Sequence, residues 1–357
     1  MRAFGFLSFG HYGNGGGVRG VDARQMLHDA IDIAQGADDL GVNGAYFRVH
    51  HFATQSASPM PLLSAIAART QRIEVGTGVI DMRYENPLYL AEEAAALDLI
   101  ADGRVALGVS RGSPEPADRG WEAFGYTGST DPRGADIARE KFEVFLEAVR
   151  GRPMARAAQS PYGAPVAPGA GLRIEPHSPG LIDRIWWGAG SRDSAEQVGR
   201  QGLNLMSSTL LTEATGDSFG ELQREQIDRF RAAYREAGHT GSPRVSISRS
   251  IFPVVTGEDR LLFGMRPGEA SDQIGIIDGM RSTFGRTYTG EPDQLITQLQ
   301  ADPAVEAADT LMLTIPSQMG VALNLRILQN VAEHVAPALG WKPSTEGPVQ
   351  GDPVGAS

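Results

Sequence analysis

The chain has 357 residues, of which 41% are hydrophobic, a composition that is typical of a folded protein with a sizeable core. Its 43 acidic and 32 basic residues give a net charge of -11, which argues against binding to nucleic acid or to an anionic membrane surface. Because cysteine is absent, disulfides, thiolate metal sites and a cysteine nucleophile are excluded.

The N-terminal stretch MRAFGFLSFGHYGNGG lacks the apolar segment of a signal peptide, and no long apolar run follows, so we expect a cytoplasmic protein without membrane spans. Short β-rich apolar runs alternate with helical patterns almost from the first residue. The predicted strands are Ala3–Phe9, Gly44–Val49, Arg72–Ile80, Arg104–Ser110, Asp183–Gly188, Leu203–Ser207, Arg244–Val254 and Asp309–Ile315. This alternation predicts the α/β class and a single (β/α)8 TIM barrel over residues 1–342.

Capping residues mark the ends of several predicted helices between the strands. Asp22 opens the first of them. Asn86-Pro87 supplies a cap and a first-turn proline for a second helix, which stops at Asp102-Gly103. A third helix is predicted over Ser191–Gln201 and ends at a glycine.

Three segments rich in loop-forming residues interrupt this rhythm, and we interpret them as insertions at the C-terminal face of the strands. They are Gly112–Gly134, Gly151–Pro179 and Thr256–Pro292, the last with weak helical pieces around Ala270–Met280. Residues 343–357 are rich in Gly, Pro and Ser, and we expect a flexible C-terminal tail there.

The second predicted strand ends at Val49-His50-His51-Phe52, and barrel enzymes take their catalytic groups from such strand ends. Successive strand residues point to opposite faces, so the two histidines cannot both enter the barrel as a metal pair, and no metal site is predicted. One imidazole at the barrel mouth is suited to proton transfer. The alternative is a pair of structural histidines bonded to loop carbonyls.

The fourth predicted strand ends at Gly108-Val109-Ser110-Arg111-Gly112. A serine and an arginine between glycines, which let a ligand approach the backbone, fit a site for an anion or a heterocycle. The same letters match the nucleophile elbow of serine hydrolases, but candidate acid and histidine partners are not evident downstream, so we do not favour that activity.

The fifth predicted strand runs into a helix through Gly188-Ala189-Gly190-Ser191-Arg192-Asp193-Ser194. Glycines followed by Ser191 and Ser194 at a helix start offer backbone N–H groups, hydroxyls and the positive helix end to a phosphate. The alternative is ordinary N-capping by Ser191 without any ligand.

Together these motifs resemble those of the bacterial-luciferase-like flavin monooxygenases, and the resemblance extends over nearly the whole barrel. The matching set comes in a fixed order: Val75-Gly76-Thr77-Gly78-Val79-Ile80, Asn86-Pro87, a helix with Glu92, Leu97 and Asp98, Gly103-Arg104, and Gly108-Val109-Ser110-Arg111-Gly112. Any one of these pieces is unspecific, whereas the ordered set is specific.

The resemblance implies roles for particular residues. Gly78-Val79 matches a position where the family often has a cis peptide in a bulge that supports the flavin ring. The positions implied to hold the flavin phosphate are Arg111, Ser191 and Ser194, with Gly190 beside them.

Two implied catalytic positions depart from the family pattern. His50 matches the histidine assigned to proton handling beside the flavin, but Val49 stands where an acid often precedes it and leaves His50 without that neighbouring charge. Ser110 replaces the luciferase cysteine near the flavin, and we count it among both the catalytic and the cofactor-binding residues.

The implied activity is that of a monooxygenase that uses reduced FMN, bound or diffusing, and O2 on a small organic substrate. A flavin reductase or NAD(P)H would supply the electrons, and related barrels imply a homodimer. The alternatives are a deazaflavin (coenzyme F420)-dependent hydride-transfer oxidoreductase and a non-catalytic flavin-binding protein.

Several side chains are candidates for the wall of the substrate pocket, although each is equally compatible with ordinary packing. They are Phe6, His11, Phe52 and Arg249, together with Phe4 and Tyr12. Arg249 has a specific alternative, because a buried arginine in a strand also serves as the partner of a helix carboxylate.

Overall fold

The computed structural model of the chain describes residues 1–13, 20–112, 115–159, 166–264, 271–277, 280–349 and 351. Its strands, in chain order, are β1 (Ala3–Ser8), β2 (Gly44–Phe47), β3 (Glu74–Asp81), β4 (Val105–Ser110), β5 (Ala155–Arg156), β6 (Gly171–Leu172), β7 (Ile185–Ala189), β8 (Asn204–Ser207), β9 (Leu210–Leu211), β10 (Val245–Pro253), β11 (Gln273–Ile277), β12 (Met280–Phe284), β13 (Thr287–Gly290) and β14 (Thr310–Ile315). Its α-helices are α1 (Ala23–Asp39), α2 (Pro59–Ala67), α3 (Pro87–Ile100), α4 (Ala135–Val149), α5 (Arg192–Gln201), α6 (Phe219–Glu236), α7 (Gly257–Phe263), α8 (Pro292–Gln300), α9 (Pro303–Ala307) and α10 (Val321–His334).

Eight parallel strands close into a barrel in the order β1, β2, β3, β4, β7, β8, β10 and β14. The ring closes where Ala3 of β1 lies opposite Thr310 of β14. Each of the predicted strands overlaps one of these barrel strands, with β3 and β7 ending just beyond their predicted ranges, so the predicted (β/α)8 barrel is confirmed.

The alternation of side chains along each barrel strand divides the core into two layers. On β1, Phe4 and Phe6 point outward into the large cluster between the sheet and the helices, whereas Leu7 points inward. The inward cluster also contains Tyr46, Ala106, Trp186, Met206 and Met312.

Local capping explains where the predicted helices begin. The side chain of Asp22 accepts the N–H of Gln25 at 2.7 Å at the start of α1. Asn86 Oδ1 accepts the N–H groups of Leu88 and Tyr89 at 3.0 and 3.1 Å at the start of α3. These bonds satisfy first-turn donors that no helical carbonyl reaches.

A buried polar cluster lies at the N-terminal end of the barrel. Glu74 accepts hydrogen bonds from Tyr46 Oη at 2.6 Å and from Arg244 Nη1 at 2.6 Å. Burial beside this carboxylate raises the pKa of Tyr46 well above its ordinary value. Because this end of the barrel is filled by paired side chains, space for a ligand is left at the opposite end, where the strands terminate.

The third insertion differs from the prediction of weak helices around Ala270–Met280. β11 and β12 form an antiparallel ladder there, and β12 also pairs with β9. Ala270 itself lies outside the described residues. The isoleucine-rich β11 takes up β structure by pairing with β12, and β12 pairs in turn with β9, where Thr283 lies opposite Leu211. Local helical periodicity does not reveal such a distant partner.

The C-terminal segment beyond the barrel lies partly within the described residues. The N–H of Ser344 donates to the carbonyl oxygen of Gly41 at 2.8 Å, and Arg2 Nη1 donates to the carbonyl oxygen of Gly351 at 3.1 Å. The single domain over residues 1–342 and the flexibility of the segment 343–357 stay predictions.

Candidate active site

A cavity of about 1070 Å³ opens where the barrel strands end. Its apolar wall contains the inward-pointing Leu7, Met206 and Met312, which come from β1, β8 and β14. The insertion hairpin contributes Ile276 and Met280 to the same cavity. The site is therefore built from barrel strands and from one insertion that reaches over their ends.

The Gly78–Val79 peptide is cis, and the register between β3 and β4 shifts between Thr77 and Ile80. Both residues of this bulge line the cavity. A Cβ added at Gly188 of β7 would lie 3.0 Å from the Val79 side chain. Glycine at this position therefore lets the bulge and β7 come together in the cavity wall.

The N-terminus of α5 contributes Gly190, Ser191 and Ser194 to the cavity. Ser191 Oγ accepts the N–H of Ser194 at 3.2 Å, so Ser191 is the N-cap of the helix and lines the cavity as well. The capping and ligand-binding interpretations of this turn are thus compatible with each other.

Four arginines line the same cavity, Arg48, Arg111, Arg133 and Arg139, and the sequence interpretation singled out only Arg111. Arg48 directly follows β2. Arg111 directly follows β4, as predicted for a strand end. Arg133 precedes α4, and Arg139 lies in α4, where its Nε donates to the carbonyl oxygen of Ala135 at 3.0 Å. The sequence gives little indication that Arg133 and Arg139 belong to the site, because both lie far along the chain from any barrel strand end.

His50 lines the cavity, and 11% of its side chain is exposed. Its Nδ1 lies 3.0 Å from Oε1 of Glu115, a carboxylate that is 2% exposed. The expectation that His50 lacks a neighbouring charge is therefore wrong. Glu115 supplies it from the segment after β4, 65 residues further along the chain, which local sequence patterns do not connect to His50.

His51 lies in a different environment from His50. Its ring stacks on Tyr84 with 4.0 Å between the ring centroids and meets Phe124 edge-on at 5.3 Å. Burial lowers the pKa of His51, and burial also raises the pKa of Tyr84 to about 12. The two adjacent histidines therefore lie in different environments, and of the two only His50 is among the cavity-lining residues.

Ser110 lines the cavity at the end of β4, and its Oγ accepts the N–H of Gly112 at 2.8 Å. Gly112 has a φ of +88°, and a Cβ there would lie 2.0 Å from Oδ2 of Asp81. Only glycine fits this turn beside the buried Asp81–Arg83 ion pair, and Arg111, the residue before it, lines the cavity. Burial raises the pKa of Asp81.

Residues 1–260 match the model of the luciferase-like monooxygenase family. The chain belongs to this family. A segment of 92 residues is 32% identical to the oxygenase component of a flavin-dependent trigonelline monooxygenase from Acinetobacter baylyi and covers 25% of this chain and 26% of that protein. Matches to this and two other curated relatives span between 26% and 36% of their lengths.

Two solved structures illustrate the fold that this luciferase-like chain shares. The oxygenating constituent of 3,6-diketocamphane monooxygenase from Pseudomonas putida, in complex with FMN, has a TM-score of 0.67 at 17% identity over 98% of this chain and 100% of that one. The coenzyme F420-dependent tetrahydromethanopterin reductase from Methanopyrus kandleri has a TM-score of 0.62 at 16% identity, over 95% of this chain and 99% of that one. At these identities the likeness concerns the fold.

Five aromatic side chains predicted for the pocket of this luciferase-like chain do not line this cavity, and for the outward-pointing Phe4 and Phe6 the predicted placement is wrong. Phe4 and Phe6 are fully buried on the helix side of β1, where Phe6 meets Phe47 edge-on at 5.7 Å. His11 stacks on Phe9 at 5.5 Å, and Phe52 is 56% exposed beside Phe124. Tyr12 likewise does not appear in the cavity wall.

Arg249 also lies outside the cavity wall, and the alternative interpretation of a helix carboxylate partner is the one that the structure supports. Its Nε donates to Asp302, the N-cap of α9, at 2.9 Å, and its Nη1 donates to Gln223 Oε1 at 2.6 Å. Gln223 in turn donates to Ser207 at 2.8 Å. Arg249 thus belongs to a hydrogen-bonded network with Asp302, Gln223 and Ser207, and it is not among the cavity-lining residues.

Within the described residues, no group of three His, Cys, Asp or Glu side chains is arranged to hold a metal ion. In the same part of the chain, no helix has both the length and the apolar character that crossing a membrane requires.

Proposed function

We propose that the chain is an FMN-dependent monooxygenase that uses reduced FMN and O2 on a small organic substrate. The observation that carries the proposal is one cavity whose wall contains the N-terminus of α5, the bulge at Val79 and the imidazole of His50. An anion-binding helix end, a glycine-lined backbone surface and a proton-handling side chain are the three elements that such a reaction needs.

The N-terminus of α5 fits a phosphate group. The N–H groups and the dipole of a helix N-terminus attract anions, and the hydroxyls of Ser191 and Ser194 add donors. Arg111 and Arg139 bring cationic guanidinium groups to the same cavity. FMN carries a phosphate that riboflavin lacks, so this donor set supports the nucleotide form of the flavin.

The size of the cavity supports a cofactor and a substrate bound together. Single-ligand pockets commonly measure about 300 to 1,000 Å³, and this cavity of about 1070 Å³ lies just above that range. Its apolar residues, among them Leu7, Met206 and Met312, keep water away from a bound ring.

Bound reduced FMN would supply the electrons that activate oxygen, which is chemistry that protein side chains do not provide. The residues of this chain hold the cofactor phosphate at α5, orient the ring against Val79 and exchange a proton with the substrate at His50. The trigonelline relative is described as an oxygenase component. We therefore propose that a separate reductase, or NAD(P)H, supplies the reduced flavin.

We also propose a homodimer that forms through the helices beside β2 and β3. On α3, Tyr89, Leu99 and Ile100 are 68%, 50% and 54% exposed, which leaves apolar surface on this helix for a partner subunit to cover. Sedimentation velocity in the micromolar range is expected to show a dimer. A monomer at every concentration would contradict this assembly.

The test of the proposed function is a comparison of cofactors on the purified full chain. We expect FMN to bind at least about tenfold more tightly than riboflavin, because only FMN fills the phosphate site. The FMN-loaded protein, once reduced, should react with O2 and oxygenate a member of a substrate panel. Preferential binding of a deazaflavin, with hydride transfer and no oxygen consumption, would overturn the proposal, and so would binding of flavin without any turnover.

A further inference from the structure

His50 and Glu115 form a hydrogen-bonded pair, in which Nδ1 of the imidazole and Oε1 of the carboxylate share one proton. The 3.0 Å contact joins Nδ1 to Oε1, while Oε2 of Glu115 is buried and has no hydrogen-bond partner among the described residues. A buried carboxylate of this kind is costly unless it is paired. His50 is therefore the hydrogen-bond partner of Glu115 at this place in the fold, and the guanidinium of Arg48 adds a positive charge that interacts with the same carboxylate.

The direction of the hydrogen bond follows from the chemistry of the two groups. An ionised carboxylate only accepts hydrogen bonds, so the proton in the contact belongs to Nδ1 of the imidazole. A neutral imidazole carries one N–H, which leaves Nε2 with a lone pair. Because Nδ1 is engaged by Glu115 and His50 lines the cavity, Nε2 is the nitrogen left for a ligand.

The backbone holds the imidazole in place from the other side. The N–H of His50 donates to the carbonyl oxygen of Ser56 at 2.9 Å, which fixes the residue after β2. The other nearby acid, Asp81, is already paired with Arg83, with 2.9 Å between Arg83 Nε and Asp81 Oδ1. Glu115 is thus the carboxylate that sets the orientation of the His50 ring.

We propose that Glu115 is the positioning residue of this site and that it holds His50 as the Nδ1–H tautomer, with Nε2 ready to accept a proton from the substrate. This inference rests on the proposed function. In the step it supports, a substrate O–H bond breaks, the proton moves to Nε2 and the electron pair stays on the substrate oxygen. The resulting imidazolium is stabilised by the adjacent carboxylate.

The tautomer can be measured directly on the flavin-free full chain with ¹⁵N-labelled histidine and long-range ¹H–¹⁵N correlation NMR. The chain has 7 histidines, so the His50→Gln variant identifies the His50 resonances. We expect a protonated Nδ1 and an unprotonated Nε2 in the wild type. A protonated Nε2 beside an unprotonated Nδ1 would show that Glu115 is the proton donor, and protonation of both nitrogens would show an imidazolium without an acceptor at Nε2. Either result would overturn the inference without any assay of activity.

Variants of Glu115 then test whether the tautomer matters. Glu115→Gln, whose amide offers Nδ1 a donor as well as an acceptor, should shift the tautomer population and lower kcat by roughly 10- to 100-fold, with KM and FMN affinity changed less than about twofold. Glu115→Asp should restore part of the turnover. Glu122→Gln is the matched control, because this acid in the same insertion pairs with Arg119 and does not line the cavity.

The failures of the two proposals are distinguishable. Wild-type turnover in Glu115→Gln, or an unchanged tautomer in it, overturns the positioning role even if the enzyme is an FMN monooxygenase. Absence of flavin binding overturns the proposed function, while the NMR measurement still decides the tautomer. If Glu115→Gln fails to fold, the wild-type spectrum and Glu115→Asp carry the test.

Discussion

Replacing Arg111 with alanine tests the phosphate end of the cavity most sharply. Arg111 follows β4 and lines the cavity together with Ser191 and Ser194 at the start of α5. A hydrogen bond to a charged group contributes a net free energy of about 1.5 to 3 kcal/mol. Since each 1.4 kcal/mol is about tenfold in affinity, Arg111→Ala should weaken FMN binding by roughly 10- to 150-fold.

Riboflavin is the internal reference for this experiment, because it shares the ring and the ribityl chain of FMN but has no phosphate. Fluorescence titration of both ligands against wild type and Arg111→Ala should show the loss for FMN and a change of less than about twofold for riboflavin. Equal losses for the two ligands would refute the reasoning and show that Arg111 contacts the ring or supports the fold.

Arg192 offers a matched control at the same helix end. It occupies the first position of α5 but pairs with Glu213 at 3.1 Å and Glu225 at 2.7 Å, and it does not line the cavity. Arg192→Ala removes the same charge from the neighbourhood without removing a phosphate contact. A comparable loss of FMN affinity in Arg192→Ala would mean that the long-range potential of the helix end, and not a contact, determines binding.

The barrel could be predicted because its signals are local. Each strand is a short apolar run that fits a sheet buried on both faces, and the helices after Asp22 and Asn86 begin at caps that are visible in the sequence. Cavity-lining residues such as His50, Arg111 and Ser191 could be found for the same reason, since each directly follows a strand run.

Strand periodicity alone does not say which of two apolar neighbours faces the barrel interior. Phe6 and Leu7 are both apolar, and their assignment depends on the register of β1 against β2 and β14, which three-dimensional pairing decides. The larger residue was expected in the pocket, yet it is Leu7 that lines the cavity, while Phe6 fills the layer under the helices.

Long-range pairing also explains the other differences. Glu115 reaches His50 across 65 residues and Arg249 reaches Asp302 across 53, so neither partner is visible within a local window. Arg133 and Arg139 enter the cavity from α4 and its approach, away from the strand ends where barrel sites are sought. Glu115, Arg133 and Arg139 thus belong to segments outside the barrel strands that the fold brings close to the barrel mouth.

Three further predictions follow from side chains around the site. His51→Ala should lower the free energy of unfolding by about 0.5 to 1.5 kcal/mol through the lost stack on Tyr84, while leaving FMN affinity unchanged; a loss of affinity instead would place His51 at the ligand. Arg249→Met leaves the buried Asp302 without its ion-pair partner and should cost about 3 to 5 kcal/mol in urea unfolding, and a cost below 1 kcal/mol would contradict the buried pair. The last prediction concerns Glu85, since burial raises the pKa of its carboxyl from 4.5 to about 7. The folded state therefore keeps a proton that the unfolded chain releases above pH 4.5, and this contribution to stability is lost as the pH rises towards 7. Glu85→Gln cannot ionise, so its Tm relative to that of the wild type should increase from pH 5 to pH 7.5, and a constant Tm difference would show that Glu85 ionises freely in the folded protein.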